Sequence, residues 1–267
     1  MWPLDGINNV GASGGAAGFL TLWAASYGVH LALYFGLGGL LLWINSHFPE
    51  RQIPAISGRE RKARRTASAE IQQSLKSLLG TSFCLAVGVY AQLAGWTQAP
   101  LALTPLNIAW IFIAALVLHD AWFYFGHRLM HTKPLYRWHK THHLSVTPTV
   151  WNNDSFSVPD ALSVQSFFIL LPFILPIPTA ALIALRLFDQ TKGMIGHSGY
   201  EHFAGRLARW PFPLVATVHH DQHHQRFTYN FANQFTWWDR LFGTLDPSYD
   251  DQVRILAKPK ENARGID

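Results

Sequence analysis

Three histidine groups carry the chemistry that can be read from this sequence. His127 and His131 lie four apart in HRLMH, and His139, His142 and His143 form an HxxHH pattern in HKTHH. The same pattern returns as His220, His223 and His224 in HHDQHH, with an isolated His197 in GHSGYE between the groups. On a helix, residues four apart share a face, so His127 and His131 can reach one ion. In HxxHH the first and fifth positions share a face and the fourth lies beside them. Such a triplet can serve one metal and reach toward a second. One pair, two triplets and His197 give nine imidazoles. A zinc ion takes four ligands, so nine suit two ions. Imidazole accepts Zn, Cu, Fe and Ni, so spacing does not choose the metal. Twelve of the 14 histidines fall between residues 119 and 224, which makes a scatter of unrelated core or surface histidines a poor account of the set.

The neighbours of these groups are less decisive. Asp120 lies in the apolar run ALVLHDAWFYFG, seven residues or nearly two turns before His127, and is expected to orient that imidazole from the same face. His119 points elsewhere on that helix. His219 could replace His220 in the last group, and His202 is a further candidate, but only His220 keeps the HxxHH register. Asp221, Glu201, Asp239 and Arg240 are candidate supports for the ligands, and WWDRLFGT reads equally as a structural clasp.

Positioning these groups falls to a membrane protein. Hydrophobic residues make up 49% of the 267, and charged residues only 14%, against about 25% in an average soluble domain. Residues 19–44 contain no Asp, Glu, Lys or Arg and exceed the ~20 residues that cross a bilayer. Gly36, Gly38 and Gly39 would allow close packing there. Further spans are expected at about 77–96 and 106–125. Residues 1–18 read as a flexible start and not a cleaved signal peptide. The lone Cys84 sits in an apolar run and reads as an inert buried thiol.

All 21 Lys and Arg follow residue 50, and seven fall in the loop 46–76. Basic residues flanking apolar spans set membrane orientation and do not point to nucleic acid. That loop is then cytoplasmic, and the third span delivers His127 to the cytoplasmic face. A single crossing by 159–194 would strand His197 and the last triplet on the opposite side. Pro172, Pro176 and Pro178 instead predict two short helices, 159–175 and 178–194, bent back on themselves. Crossing fully or re-entering are both open. The expected architecture is all-α: three spans, a proline-bent hairpin and a cytoplasmic histidine-rich helical cap. Residues 1–105 form the N-terminal membrane part, 106–245 the catalytic part and 246–267 a polar tail.

HRLMH, HKTHH and HHDQHH, with DAWFYFGHR before and WWDRLFGT after, resemble the fatty acid hydroxylase superfamily, which includes sterol desaturases and sphingolipid hydroxylases. The likeness covers about 106–245. It implies two non-haem irons held by His127, His131, His139, His142, His143, His220, His223 and His224, with His197 resembling the family's isolated histidine. SFSVPD departs from the family's His-Pro-acid pattern, so no role passes to Asp160. The resemblance further implies O2 as co-substrate and attack on a lipid C–H bond in a sterol, sphingolipid or fatty acyl chain. No haem or flavin motif is present, and one cysteine cannot hold an iron–sulfur cluster. The electrons are therefore expected from a separate ferredoxin or cytochrome b5-type protein docking on the basic face. The alternatives are a zinc-dependent membrane hydrolase, a metal transporter or a haem carrier.

Overall fold

A computed structural model describes residues 15–54 and 66–258. Most of the segment 1–18, and Arg59, Arg61, Lys62, Arg64 and Arg65 of the basic loop, lie outside the described residues.

Three long helices form the frame: α1 (Ala16–His47), α2 (Ala67–Leu93) and α3 (Pro105–Met130). At 1.5 Å per residue each exceeds about 30 Å of hydrocarbon. α1 and α3 present Leu40, Trp43, Ile113, Leu118 and Phe125 outward, as helices facing lipid would. α2 is the central one: 61% of its apolar window is buried, against 22% in α1 and 28% in α3. It starts ten residues before the expected span. The Thr66 hydroxyl accepts from Ala69 N at 3.3 Å and caps it early, and its first turns bury Glu70 and Ser74. α3 is capped by Thr104 with Pro105 at its first position, and it runs on to Met130. That extension carries His127 out of the apolar span.

After a short helix α4 (Tyr136–His139) the chain enters the proline-rich stretch. It forms three pieces, α5 (Val158–Gln165), α6 (Phe167–Ile174) and α7 (Thr179–Gly196), with an additional break at Ser166. The bend between α6 and α7 lies at Leu175–Pro178, as the prolines imply. It is tied to the α2–α3 connection: Gln98 N donates to Pro172 O at 3.1 Å and Leu101 N to Pro176 O at 3.0 Å. The hairpin therefore reaches the level of that connection and returns. His127 and His197, at the far ends of α3 and α7, come out on one side. The segment after α1 is on that side as well, because Ile53 N donates to Gly199 O at 3.0 Å and Glu201 N to Arg51 O at 2.9 Å.

Leu85, Val89, Ile111, Phe168, Leu171 and Leu182 pack as the core between α2, α3 and the hairpin. A β-carbon on Gly88 would sit 2.2 Å from the Phe168 carbonyl oxygen, so α2 and α6 approach as only glycine permits. Gly88→Ala is expected to destabilise the bundle by about 1–3 kcal/mol, read as a lowered thermal midpoint in detergent. An unchanged midpoint would contradict this packing. Of the three glycines expected to pack in α1, only Gly38 does, against the Trp151 ring; Gly36 and Gly39 meet nothing.

Helices α8 (Thr217–Arg226), α9 (Trp237–Leu241) and α10 (Tyr249–Leu256) complete the fold. Two isolated bridges, Gln52 with Tyr200 and Leu214 with Phe235, are the only β pairings among the described residues. The expected polar tail is only partly one. Tyr249, Val253 and Leu256 of α10 pack with Ile53, Ala216 and Val218, so this amphipathic helix belongs to the core beneath α8.

Candidate metal centre

Four elements bring the histidines together. α3 supplies His127 and its C-cap His131. α4 and the following turn supply His139, His142 and His143. His197 caps α7, and α8 supplies His220, His223 and His224. The nine divide into two groups. His127, His131, His139, His143 and His223 form one, and His142, His197, His220 and His224 the other, with the candidate ligand atoms of each group within 4.8 Å of one another. Each HxxHH triplet is split between them. The pair four apart goes to one group and the residue three along goes to the other, as helical phase requires.

The imidazoles meet through Nε2. In the first group His127 to His139 is 3.1 Å, His139 to His143 3.0 Å, His143 to His131 3.1 Å and His143 to His223 3.1 Å. In the second the contacts close a ring: His142 to His197 3.1 Å, His197 to His220 2.8 Å, His220 to His224 3.1 Å and His224 to His142 3.0 Å.

The other ring nitrogens explain why these are not ordinary hydrogen bonds. Nδ1 of His127 donates to Phe231 O (2.9 Å), of His197 to Gly193 O (2.7 Å), of His223 to Tyr229 O (2.6 Å) and of His224 to Ser145 O (3.0 Å). A carbonyl only accepts, so each of these Nδ1 atoms holds the proton and Nε2 is a bare lone pair. His139 donates its Nδ1–H to Asp160 Oδ2 at 2.8 Å. His127 and His139 therefore aim two lone pairs at each other. Only a cation makes that arrangement favourable. Four nitrogens at the corners of a square with these edges would lie about 2.1 Å from its centre, an ordinary metal–imidazole distance. At the corners of a tetrahedron they would lie about 1.8 Å away, too close for a metal.

Burial, and then the neighbouring imidazoles, hold His142, His143, His220, His223 and His224 well below the usual histidine pKa. Burial pushes His131 down to about 3 and His197 to about 4. These seven donors are neutral at physiological pH, the state a metal needs.

Asp120 does not touch His127. Its carboxylate accepts from Gln234 N at 2.7 Å, Asn233 N at 3.3 Å and Trp237 Nε1 at 3.1 Å. The shared helix face is real, but the loop 233–237 fills it and takes the carboxylate. His219 is drawn away by Asp239 (3.0 Å) and His202 by Asn45 Oδ1 (2.9 Å), so neither joins a group. His119 is buried apart from the cluster, 3.8 Å from Asp189. Asp239 is the clasp: it accepts from Phe231 N (2.9 Å) and Ala232 N (3.0 Å) and so fixes the carbonyl that orients His127. Glu201 accepts from Val218 N at 2.8 Å and secures the start of α8. Arg240 pairs with Asp250 at 2.7 Å.

Two supporting carboxylates were not anticipated. Asp160 orients His139, although it sits in a segment that departs from the expected pattern. Glu70 accepts from the hydroxyls of Ser145 and Thr149 and holds the loop whose Ser145 carbonyl orients His224. The only sequence signal for either was an acid near a helix start, after Ser157 or Thr66, which ordinarily marks capping.

A partly enclosed cavity lies beside the cluster, lined by His127, His139 and His142 together with Phe123, Phe156 and Val164. Phe156 stacks on His142 with ring centres 4.3 Å apart. Imidazoles able to hold two metals, walled on one side by apolar groups, form a site where a reactive metal centre can meet an aliphatic chain.

The residues from α3 to the end of α9 are those of a known class. Residues 112–244 match the family model Fatty acid hydroxylase, and through this domain the chain belongs to the fatty acid hydroxylase superfamily. Among curated relatives it is 31% identical over 143 residues to a cholesterol 25-hydroxylase-like protein of Danio rerio, covering 52% of this chain and 57% of that one. It is 30% identical over 130 residues to the lathosterol oxidase of Homo sapiens, covering 48% and 42%. A methylsterol monooxygenase 1 of Rattus norvegicus is 42% identical over 67 residues, 24% of this chain and 22% of that one. The chain thus spans at most little more than half the length of these relatives. No solved structure matches it significantly.

Proposed function

We propose that this membrane protein is a non-haem di-iron, O2-dependent oxidoreductase that hydroxylates or desaturates a lipid C–H bond. The observation that carries the reading is the division of nine imidazoles into two adjoining groups beside a cavity with one apolar wall. His127, His131, His139, His143 and His223 would hold one iron, and His142, His197, His220 and His224 the other. When bound, the irons supply activation of O2 for attack on an unactivated C–H bond. The chain's own part is positional. Backbone carbonyls hold the Nδ1 protons of His127, His197, His223 and His224, and Asp160 that of His139, which turns their Nε2 atoms inward, and Phe123, Phe156 and Val164 exclude water. The relatives named above are sterol enzymes, which favours a sterol or similar lipid as substrate.

The histidines lie on the same side as the segment after α1, which leads into the basic loop, and with the positive-inside bias this supports a cytoplasmic site. A separate ferredoxin or cytochrome b5-type donor would supply electrons there. A zinc hydrolase is the second reading. It is disfavoured because zinc is satisfied by four ligands and the first group alone offers five.

Metal analysis of protein made with ample iron is expected to give close to two irons per chain, and turnover is expected to require both O2 and a reductant. One zinc per chain, with turnover under nitrogen, would reject this function.

A further inference from the structure

The cavity beside the histidines has a second, polar wall that the metal centre does not use. Arg186, Asp189 and Gln190 lie on one face of α7, and Gln165 faces them from α5; all four line the cavity. Arg186 is 1% exposed. Its guanidinium donates to Asp189 at 3.0 Å and lies 4.0 Å from Asp154. Ionised groups at this depth of a membrane protein are costly, and where they persist they mark substrate sites. The cluster is also incomplete. Arg186 Nε, Gln190 Oε1 and Gln165 Oε1 are buried and have no hydrogen-bond partner, although Gln190 Nε2 donates to His30 O at 3.3 Å. One orphan is a donor and two are acceptors.

We propose that this cluster is the recognition site for a neutral hydroxyl on the lipid, so that the substrate is an alcohol-bearing lipid and not a free fatty acid. A hydroxyl donates one hydrogen bond and accepts others, so a single group can accept from Arg186 Nε and donate to Gln190 or Gln165. A carboxylate cannot donate, and it would add negative charge where Asp189 and Asp154 already balance Arg186. Lys192 is the remaining cation on the lining. It lies where this cavity meets an open apolar groove past Phe203 and Val215, with its ammonium 3.5 Å from Val215 O and Glu201 among the charges acting on it. It serves the mouth and not the polar wall. The proposal rests on the reading that this cavity takes the lipid substrate.

The test is equilibrium binding to the full-length iron-loaded protein in nanodiscs, with no turnover required. The probes are cholesterol, cholesterol methyl ether, hexadecanol, hexadecyl methyl ether and palmitate. At least one alcohol is expected to bind 10- to 100-fold tighter, in order of magnitude, than its ether. The tighter alcohol then tells a sterol from a linear chain. Gln190→Met, which keeps side-chain volume, is expected to erase most of that preference with iron content unchanged. Arg186→Lys is a second variant for the donor side. Equal binding of alcohol and ether, tighter binding of palmitate than of either alcohol, no measurable binding of both alcohols, or full discrimination in Gln190→Met would each overturn the proposal. Because binding is read apart from turnover, a protein that discriminates alcohols yet turns over without O2 or reductant would sink the oxidase reading and leave this site standing.

Discussion

His197→Ala is expected to leave one iron per chain where the unaltered protein holds two, and to lower turnover by more than about 100-fold. His197 belongs to the group of four, and its Nε2 lies between those of His142 (3.1 Å) and His220 (2.8 Å). Its removal opens that ring and leaves three donors. None of the five donors of the first group is touched. Three imidazoles can still hold a metal, but more weakly and with a position open to solvent. The loss should therefore be selective. His202→Ala is the control, because its side chain lies outside both groups and is engaged by Asn45. Iron counted per chain beside turnover decides the matter. If His197→Ala loses both irons, the nine imidazoles act as one cluster and the division into five and four is wrong. If it keeps both and full activity, His197 is not a ligand.

The local parts of this centre were legible in the sequence because helical phase is local. A spacing of four on HRLMH and the repeated HxxHH determine which side chains can meet one point, whatever surrounds them. The return of the chain was legible for a similar reason: Pro176 and Pro178 interrupt a helix wherever they stand. What the sequence hid depends on partners far along the chain. Asp120 shares a face with His127, yet its carboxylate is taken by Asn233 and Gln234, more than a hundred residues away. Glu70 looked like part of a solvated loop until the helix starting at Thr66 carried it under the loop that orients His224. α10 looked polar because only one face of it is apolar, and that face packs on Ile53 and Val218.

Asp160 is the sharpest case, because a sequence pattern argued against it and geometry argues for it. Its Oδ2 accepts the Nδ1 proton of His139 at 2.8 Å, and His139 in turn presents Nε2 to both His127 and His143. A carboxylate there fixes the tautomer, orients the ring and makes Nε2 a stronger donor to a metal. Asp160→Asn keeps an oxygen able to accept the proton but removes the charge. Asp160→Ala removes both. Iron affinity is therefore expected to fall in the order Asp, Asn, Ala, with a total loss of about 10–100-fold. The carboxylate also sits in the first turn of α5, whose start is held by the Ser157 hydroxyl. A merely structural role would show in thermal stability, and Ser157→Ala, which loses that cap, should lower stability by about 1 kcal/mol without changing iron affinity. Competitive chelator titration of the three proteins separates the two roles. If Asp160→Ala and Ser157→Ala lose the same stability and both keep the parent iron affinity, Asp160 supports the helix and not the metal.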